Sequence, residues 1–193
     1  MIHVEPQREP LDFDAKVRQP GLIDLASPDG ELRPHWRHCA LQLWEAYRGI
    51  CAYSATYIPL GTGARSVDHF LPKSKRRALA YEWSNYRLAC DRMNARKNDL
   101  DDVLDPFEVQ DGWFMLELTT LQVVPGRGLP EDLNRRVQET IDRLDLNDAE
   151  FTRQRAEYYD LFQKGEVQFS YIRRRSPFLA KELVRQGLVS EGA

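Results

Sequence analysis

Residues 66–98, SVDHFLPKSKRRALAYEWSNYRLACDRMNARKN, decide the fold and hold the clearest chemical pattern of the chain. The Asp68-His69 pair places a hard oxygen ligand for a metal beside an imidazole that can act as a base. Asn94 offers a second oxygen ligand, and Asn85 stands between them in the sequence. A base, two metal ligands and many cations in so short a segment suit metal-assisted hydrolysis of a phosphodiester.

The same segment predicts two short strands followed by a helix. If the Asp68-His69 pair ends an extended strand, its two side chains point to opposite faces and can reach different sides of one phosphate. Asn94 and Lys97 are three residues apart and therefore share one face of the helix. The predicted elements are a strand at 64–69, a basic connection at 71–83, a strand at 86–89 and a helix at 90–97.

Charge is segregated along the chain, although the net charge is only -3. Residues 65–97 carry nine Lys and Arg against three Asp and Glu, whereas residues 98–160 carry six against sixteen. Phosphate binding depends on local positive potential, so a slightly acidic chain can still bind nucleic acid. The cations at 73–77 either contact backbone phosphate or are solvated loop charges, and those at 173–175 either bind a partner or are solvated.

The composition indicates a globular protein with one domain, or with a small core and helical extensions. The chain has 193 residues, of which 42% are hydrophobic and 30% charged, as is usual for globular domains. No apolar run approaches the roughly 20 residues that a membrane span needs, and the acidic N-terminus does not resemble a secretion signal. We expect a cytoplasmic location without membrane binding. Three widely spaced cysteines argue against a disulfide framework.

The chain is predicted to have an α+β fold in three parts. Residues 1–34 form an extended arm interrupted by five prolines, residues 35–108 form the core, and residues 109–193 form a hairpin and a helical extension that pack with it. The further predicted elements are a helix at 35–48, a strand or knuckle at 50–58, a hairpin of 107–109 and 113–124 that turns at 111–112, helices over 130–163 with a break at 146–147, and a helix at 178–186.

Residues 48–108 resemble the HNH, or ββα-metal, nucleases. The phrases V-D-H-F-x-P-K-S, W-S-N-Y-R-L-A-C and N-x-x-K-N are typical of that family, as is the spacing of nine residues from Asn85 to Asn94. The resemblance implies a ββα-metal core in which His69 is the general base and Asn85 belongs to the catalytic set by shaping the loop. It further implies that Asp68 and Asn94 hold a divalent cofactor, Mg²⁺ or Mn²⁺.

One departure from that family concerns zinc. Many members carry two Cys-x-x-Cys pairs around the core, but here each pair keeps one cysteine, Cys51 and Cys90. Two thiolates make a poor tetrahedral site. His35 or His38 could in principle complete it, but both lie on a predicted helix with an apolar face. We therefore expect no structural zinc, and we expect both cysteines to be small buried residues.

These features together predict a divalent-metal-dependent endonuclease that hydrolyses nucleic acid, with DNA as the favoured substrate. Its contacts should be mainly to the backbone, so its intrinsic sequence specificity should be low. Two alternatives remain open: a catalytically idle nucleic-acid-binding or scaffolding subunit, and a nuclease that works alone in repair or recombination. The predicted nucleic-acid contacts are Lys73, Lys75, Arg76, Arg96 and Lys97.

A looser resemblance concerns the rest of the chain. The phrases D-P-F-E, D-G-W-F, V-Q-x-T-I-x-R-L-x-L-N and S-P-F-L-A are similar to those of the stand-alone HNH subunits of bacterial anti-phage defence systems, of the Septu and retron-associated type. This resemblance implies an antiviral effector whose cleavage is gated by a partner protein, an ATPase. A proline-rich arm and an acidic middle section suit docking to such a partner.

Overall fold

The computed structural model describes residues 1–28, 30–62 and 65–190. Within these residues the protein has seven α-helices and two separate two-stranded antiparallel sheets, which confirms the predicted α+β class. Its contacts divide the chain into two compact units. The site unit comprises Glu5–Cys51 and Ile58–Asp102, and the helical unit comprises Met1–Val4, Ala52–Tyr57 and Val103–Ala193.

The N-terminal part of the site unit is helical where the sequence predicts an irregular arm. A π-helical turn at Asp14–Arg18 continues into helix α1 (Gln19–Ala26). Pro20 lies at the start of α1, directly after the π-helical turn, and its fixed φ is compatible with helical geometry. Phe13 packs edge-on against Trp83, with 5.6 Å between ring centroids. This segment therefore contributes to the core, and the prediction of an irregular arm is wrong for it.

The next predicted helix is confirmed. The residues after it, predicted to form a strand or a knuckle, do not form a strand. A 3₁₀ turn (His35–Cys39) leads into helix α2 (Ala40–Ala46). Gly49 then turns the chain with a positive φ of 69°, and a Cβ there would lie 2.6 Å from the Trp44 ring, so only glycine fits. Residues 50–58 contain isolated bridge positions but no regular strand.

Two strands and a helix form the centre of the site unit. Strands β1 (Arg65–His69) and β2 (Tyr86–Cys90) pair antiparallel, and helix α3 (Asp91–Lys97) follows directly and packs on both. The predicted bounds are confirmed to within one residue, except that residue 64 lies outside the described residues. Asn98 ends the helix with a positive φ of 41°, a conformation that asparagine tolerates better than most residues.

The hairpin of the helical unit turns at a different place from the one predicted. Strands β3 (Phe114–Glu117) and β4 (Gln122–Pro125) both lie inside the run that the sequence assigns to one strand. The turn at 118–121 is closed by a hydrogen bond of 2.6 Å from the Leu121 backbone N–H to the Glu117 carbonyl oxygen. Its residues include no Gly, Pro, Asn or Asp, so it carries no turn signal, whereas the Asp-Gly pair at 111–112 carries a strong one. Residues 111–112 do form the predicted turn, with Gly112 at a positive φ of 81°, but that turn precedes β3. The prediction is wrong in making it the turn that joins the two strands of the hairpin.

Four helices complete the helical unit. The helical region predicted over 130–163, with its break, and the final helix are confirmed, whereas the helix before the final one was not predicted. Val137, Ile141 and Leu144 are buried, as their helical spacing predicts. None of the described helices is both long enough and apolar enough to cross a membrane. The four are α4 (Glu131–Arg143), α5 (Ala149–Gln163), α6 (Phe169–Arg175) and α7 (Pro177–Arg185).

Candidate active site

A cleft of about 1060 Å³ lies within the site unit, and the Asp68-His69 pair lines it. The cleft is bounded by β1, by the loop that follows β1, by one face of α3 and by the turn that leads into α2. It therefore brings together residues from the predicted ββα segment and from the N-terminal helices. Its charged, polar and aromatic lining includes Trp36, Arg37, Arg65, Ser66, Asp68, His69, Lys73, Arg77 and Asn94.

Asp68 and His69 have different surroundings, as expected for neighbours on an extended strand. The Asp68 side chain is buried and its Oδ1 lies 3.7 Å from the Lys97 ammonium on α3. The His69 ring instead packs edge-to-face with Trp36 and with Tyr86, at centroid distances of 4.8 Å and 5.1 Å. The carboxylate and the imidazole are thus held by separate parts of the unit and still reach one cleft.

One nitrogen of His69 is fixed by the backbone. Its Nε2 lies 2.8 Å from the Ala80 carbonyl oxygen, which can only accept a hydrogen bond. Nε2 must therefore carry the proton in the neutral ring, and Nδ1 keeps its lone pair. Burial lowers the pKa of His69 to about 4, and the charges of Lys73 and Lys97 act in the same direction, while the Ala80 bond opposes them. His69 is therefore neutral near pH 7, the state that a general base requires.

Burial of His69 should make stability depend on pH. The folded pKa of about 4 lies below the ordinary value of 6.5, so the unfolded chain binds the proton more tightly. The contribution of His69 to the free energy of unfolding is complete above about pH 6.5 and is lost as pH falls towards 4, a loss of about 3 kcal/mol. We expect denaturant unfolding between pH 7 and 4 to show a steeper loss for the wild type than for His69→Gln. Parallel losses would contradict this effect.

Asn94 is oriented by a hydroxyl on β1. Its amide nitrogen Nδ2 donates to the Ser66 Oγ over 2.7 Å, which turns the carbonyl oxygen Oδ1 away from Ser66. Ser66 and Asp68 are two residues apart on a strand and therefore project to the same face. The Asp68 carboxylate and the Asn94 amide thus lie between β1 and α3, the arrangement expected of two ligands for one cation.

The donor set fits a hard divalent cation. Carboxylate and amide oxygens are ligands of Mg²⁺ and Mn²⁺, and Mg²⁺ usually keeps several water ligands. Among the described residues, no group of three or more His, Cys, Asp or Glu side chains could hold a metal ion. A cation held by Asp68 and Asn94 would therefore draw its other ligands from water and from substrate oxygens.

Lys97 is buried, so its predicted role as a phosphate contact needs correction. It has no exposed surface. Its ammonium donates to the carbonyl oxygens of His69 (2.7 Å) and Phe70 (2.5 Å). Burial lowers its pKa, and the nearby Asp68 carboxylate opposes that shift. The geometry thus assigns Lys97 to holding the end of β1 and compensating Asp68, and argues against contact with substrate.

Asn85 acts on the loop between the strands. Its Oδ1 accepts from the Leu71 backbone N–H (2.8 Å), and its Nδ2 donates to the carbonyl oxygens of Leu71 (3.0 Å) and Leu79 (3.2 Å). These bonds tie both ends of the loop that carries Ala80, the partner of His69. Asn85 does not line the cleft, so its part in the site is to set the loop and, through it, the base.

The residues predicted to contact nucleic acid differ in whether they line the cleft. Lys73 lines the cleft, with its ammonium 5.2 Å from the centre of the Trp36 ring. Lys75 is exposed and paired with Asp101 at 2.7 Å, and neither Arg76 nor Arg96 lines the cleft. Arg77, one of the cations at 73–77 that the sequence offered as phosphate contacts, also lines the cleft. Sequence reasoning did not single out Arg65, at the far end of β1, or Trp36 and Arg37, which come from a different element.

The two cysteines of the incomplete zinc pattern lie next to each other. The Cys51 Sγ is 3.5 Å from the backbone nitrogen of Cys90. Hydrogen bonding to Cys51 raises the pKa of the Cys90 thiol, and burial adds to the shift, so it stays protonated. His35 is engaged elsewhere, with its Nε2 3.0 Å from the buried Asp24 carboxylate. Cys51 is buried as expected, whereas Cys90 is only partly buried, so the expectation holds for Cys51 alone.

No protein-family model matches the chain, and no curated protein is a significant match to it. Its function must therefore be argued from the site.

Proposed function

We propose that this protein is a divalent-metal-dependent endonuclease of the HNH, or ββα-metal, type, with DNA as its preferred substrate. The observation that carries the proposal is the meeting of a neutral, oriented His69 with Asp68 and Asn94 in one cleft. The order of elements supports it, because β1 ends in Asp68-His69, Asn85 directly precedes β2, and Asn94 lies on α3.

The residues of the cleft suit hydrolysis by an activated water. His69 Nδ1 accepts the proton of the water, while the Ala80 carbonyl holds the ring and stabilises the imidazolium that forms. Mg²⁺ or Mn²⁺, bound by Asp68 and Asn94, would supply charge stabilisation at the phosphoryl and leaving oxygens. Lys73 adds positive charge at the cleft and draws the phosphate backbone towards His69.

Nicking of supercoiled plasmid tests the proposal. Purified protein, alone or with its co-purifying partner, should nick the plasmid with Mg²⁺ or Mn²⁺ and should not do so in EDTA. A protein that binds the plasmid equally with and without metal, and never nicks it, would instead be an idle nucleic-acid-binding subunit.

Control by a partner is part of the same proposal. The phrases that suggest a defence effector with an ATPase partner lie between residues 105 and 180, outside the site unit. Nicking that requires an added, co-purifying ATPase would support gating. Full nicking by the isolated chain would favour a nuclease that works alone.

Ser66→Ala should weaken metal binding roughly tenfold, as is usual when a residue that orients a ligand is lost. Without the Ser66 hydroxyl, the Asn94 amide can rotate and present its nitrogen to the cation. Ser66→Thr keeps the hydroxyl and should bind like the wild type. Titration with Mn²⁺, followed by electron paramagnetic resonance without substrate, measures this directly. Equal affinity of Ser66→Ala and wild type would show that Ser66 does not orient the ligand.

A further inference from the structure

Arg65 is a cleft residue with an unsatisfied donor. It is the first residue of β1 and it lines the cleft. Its Nε is buried and makes no hydrogen bond with any described residue. A buried N–H without an acceptor costs about 1–3 kcal/mol, so each such group needs an explanation. A ligand that brings its own acceptor into the cleft would provide one.

The position of Arg65 separates it from the reacting groups. Arg65 and Asp68 are three residues apart along β1, or about 10 Å at the usual rise of a strand. In the strand register Arg65 is opposite Cys90, the residue before α3, whereas His69 is opposite Tyr86 at the other end. A nucleic-acid strand that places one phosphate at His69 therefore passes Arg65 with another phosphate.

The chemistry of arginine identifies the ligand class. Guanidinium presents Nε–H and Nη–H donors side by side, and this fork matches two oxygens of one phosphate. The Nε that lacks a partner is one arm of that fork. The cleft is lined by four cationic side chains, Arg37, Arg65, Lys73 and Arg77, against three carboxylates, Asp68, Asp91 and Asp99, so its lining carries a small excess of positive charge.

We infer that Arg65 binds a phosphate next to the one that is cut, and so sets the register of the nucleic-acid strand over His69. This inference rests on the proposed nuclease function. Arg65 is a binding residue here, because it contacts a non-reacting part of the substrate. Losing it should affect which bond is placed at the base more than it affects the chemistry.

Cleavage around a single neutral phosphate tests the inference. An end-labelled oligonucleotide carries one methylphosphonate, which is the neutral phosphate. The frequency of cleavage is measured at each neighbouring bond in the presence of Mg²⁺ or Mn²⁺. For one bond, holding it at His69 places the methylphosphonate at Arg65. The wild type should cut that bond at least about fivefold less often than its neighbours, since a charge-assisted hydrogen bond is lost. Arg65→Gln should cut that bond and its neighbours equally. Arg8→Gln, an exposed arginine that does not line the cleft, should keep the wild-type pattern.

Each outcome bears on a separate claim. Because the readout is a ratio between bonds in one sample, a loss of folded protein does not change it. Arg65→Lys, which keeps the charge without the fork, should show a weaker version of the wild-type pattern. A wild-type pattern in Arg65→Gln would overturn the inference and leave the nuclease proposal standing. Absence of cutting by the wild type, both alone and with its co-purifying partner, would overturn the nuclease proposal, and the role of Arg65 with it.

Discussion

Replacing His69 with alanine is expected to lower kcat for metal-dependent cleavage about 1000-fold, within the range typical of a lost general base. The Nε2 bond to Ala80 leaves Nδ1 as the basic nitrogen, and no other histidine lines the cleft among the described residues. Affinity for nucleic acid should change little, because the neutral ring contributes no charge to binding. Single-turnover cleavage at saturating substrate separates the two quantities.

The control for this variant is Ser74→Ala, which removes an exposed side chain from the same cleft and should cleave like the wild type. Added imidazole should restore part of the activity of His69→Ala, because the substitution leaves a space of matching shape. Cleavage by the wild type should persist below the ordinary imidazole pKa of 6.5, because burial lowers the pKa of the ring. Metal-dependent cleavage by His69→Ala at the wild-type rate would rule out His69 as the base.

Lys97→Met is expected to lower the free energy of unfolding by about 3–5 kcal/mol, the usual cost of breaking a buried ion pair from one side. The substitution leaves Asp68 as a buried charge and removes the donor shared by the His69 and Phe70 carbonyl oxygens. Methionine fills much of the volume, so the lost interactions, and not a cavity, dominate the effect. Denaturant unfolding of purified protein measures the difference.

The matched control for Lys97 is another lysine with an ion pair in the same unit. Lys75 bonds Asp101 at 2.7 Å, but both side chains are well exposed to water, so Lys75→Met should barely change stability. Asp68→Asn in the Lys97→Met background should recover part of the loss, because the uncompensated charge is gone. An equal cost for Lys97→Met and Lys75→Met would contradict the burial of the Lys97 charge as the source of the effect.

Local patterns predicted the parts of the fold that neighbouring residues determine. β1, β2 and α3 were placed to within a residue, because each is short and bounded by a change in periodicity. The break between α4 and α5 was likewise visible. Errors arose where a local signal was weak or misleading: Pro20 begins a helix instead of preventing one, and a turn without Gly or Asn divides a run of strand formers.

The sequence by itself determined which groups the candidate site contains: the Asp68-His69 pair on a strand end and Asn94 on the following helix. Strand alternation and helix periodicity depend only on near neighbours, so these residues could be read without a structure. The tertiary structure decided what state each group is in. Burial makes Lys97 a structural cation and keeps His69 neutral, and packing from distant elements brings Trp36 to the cleft. Burial and pKa depend on contacts between segments far apart in the chain, and no local pattern encodes them.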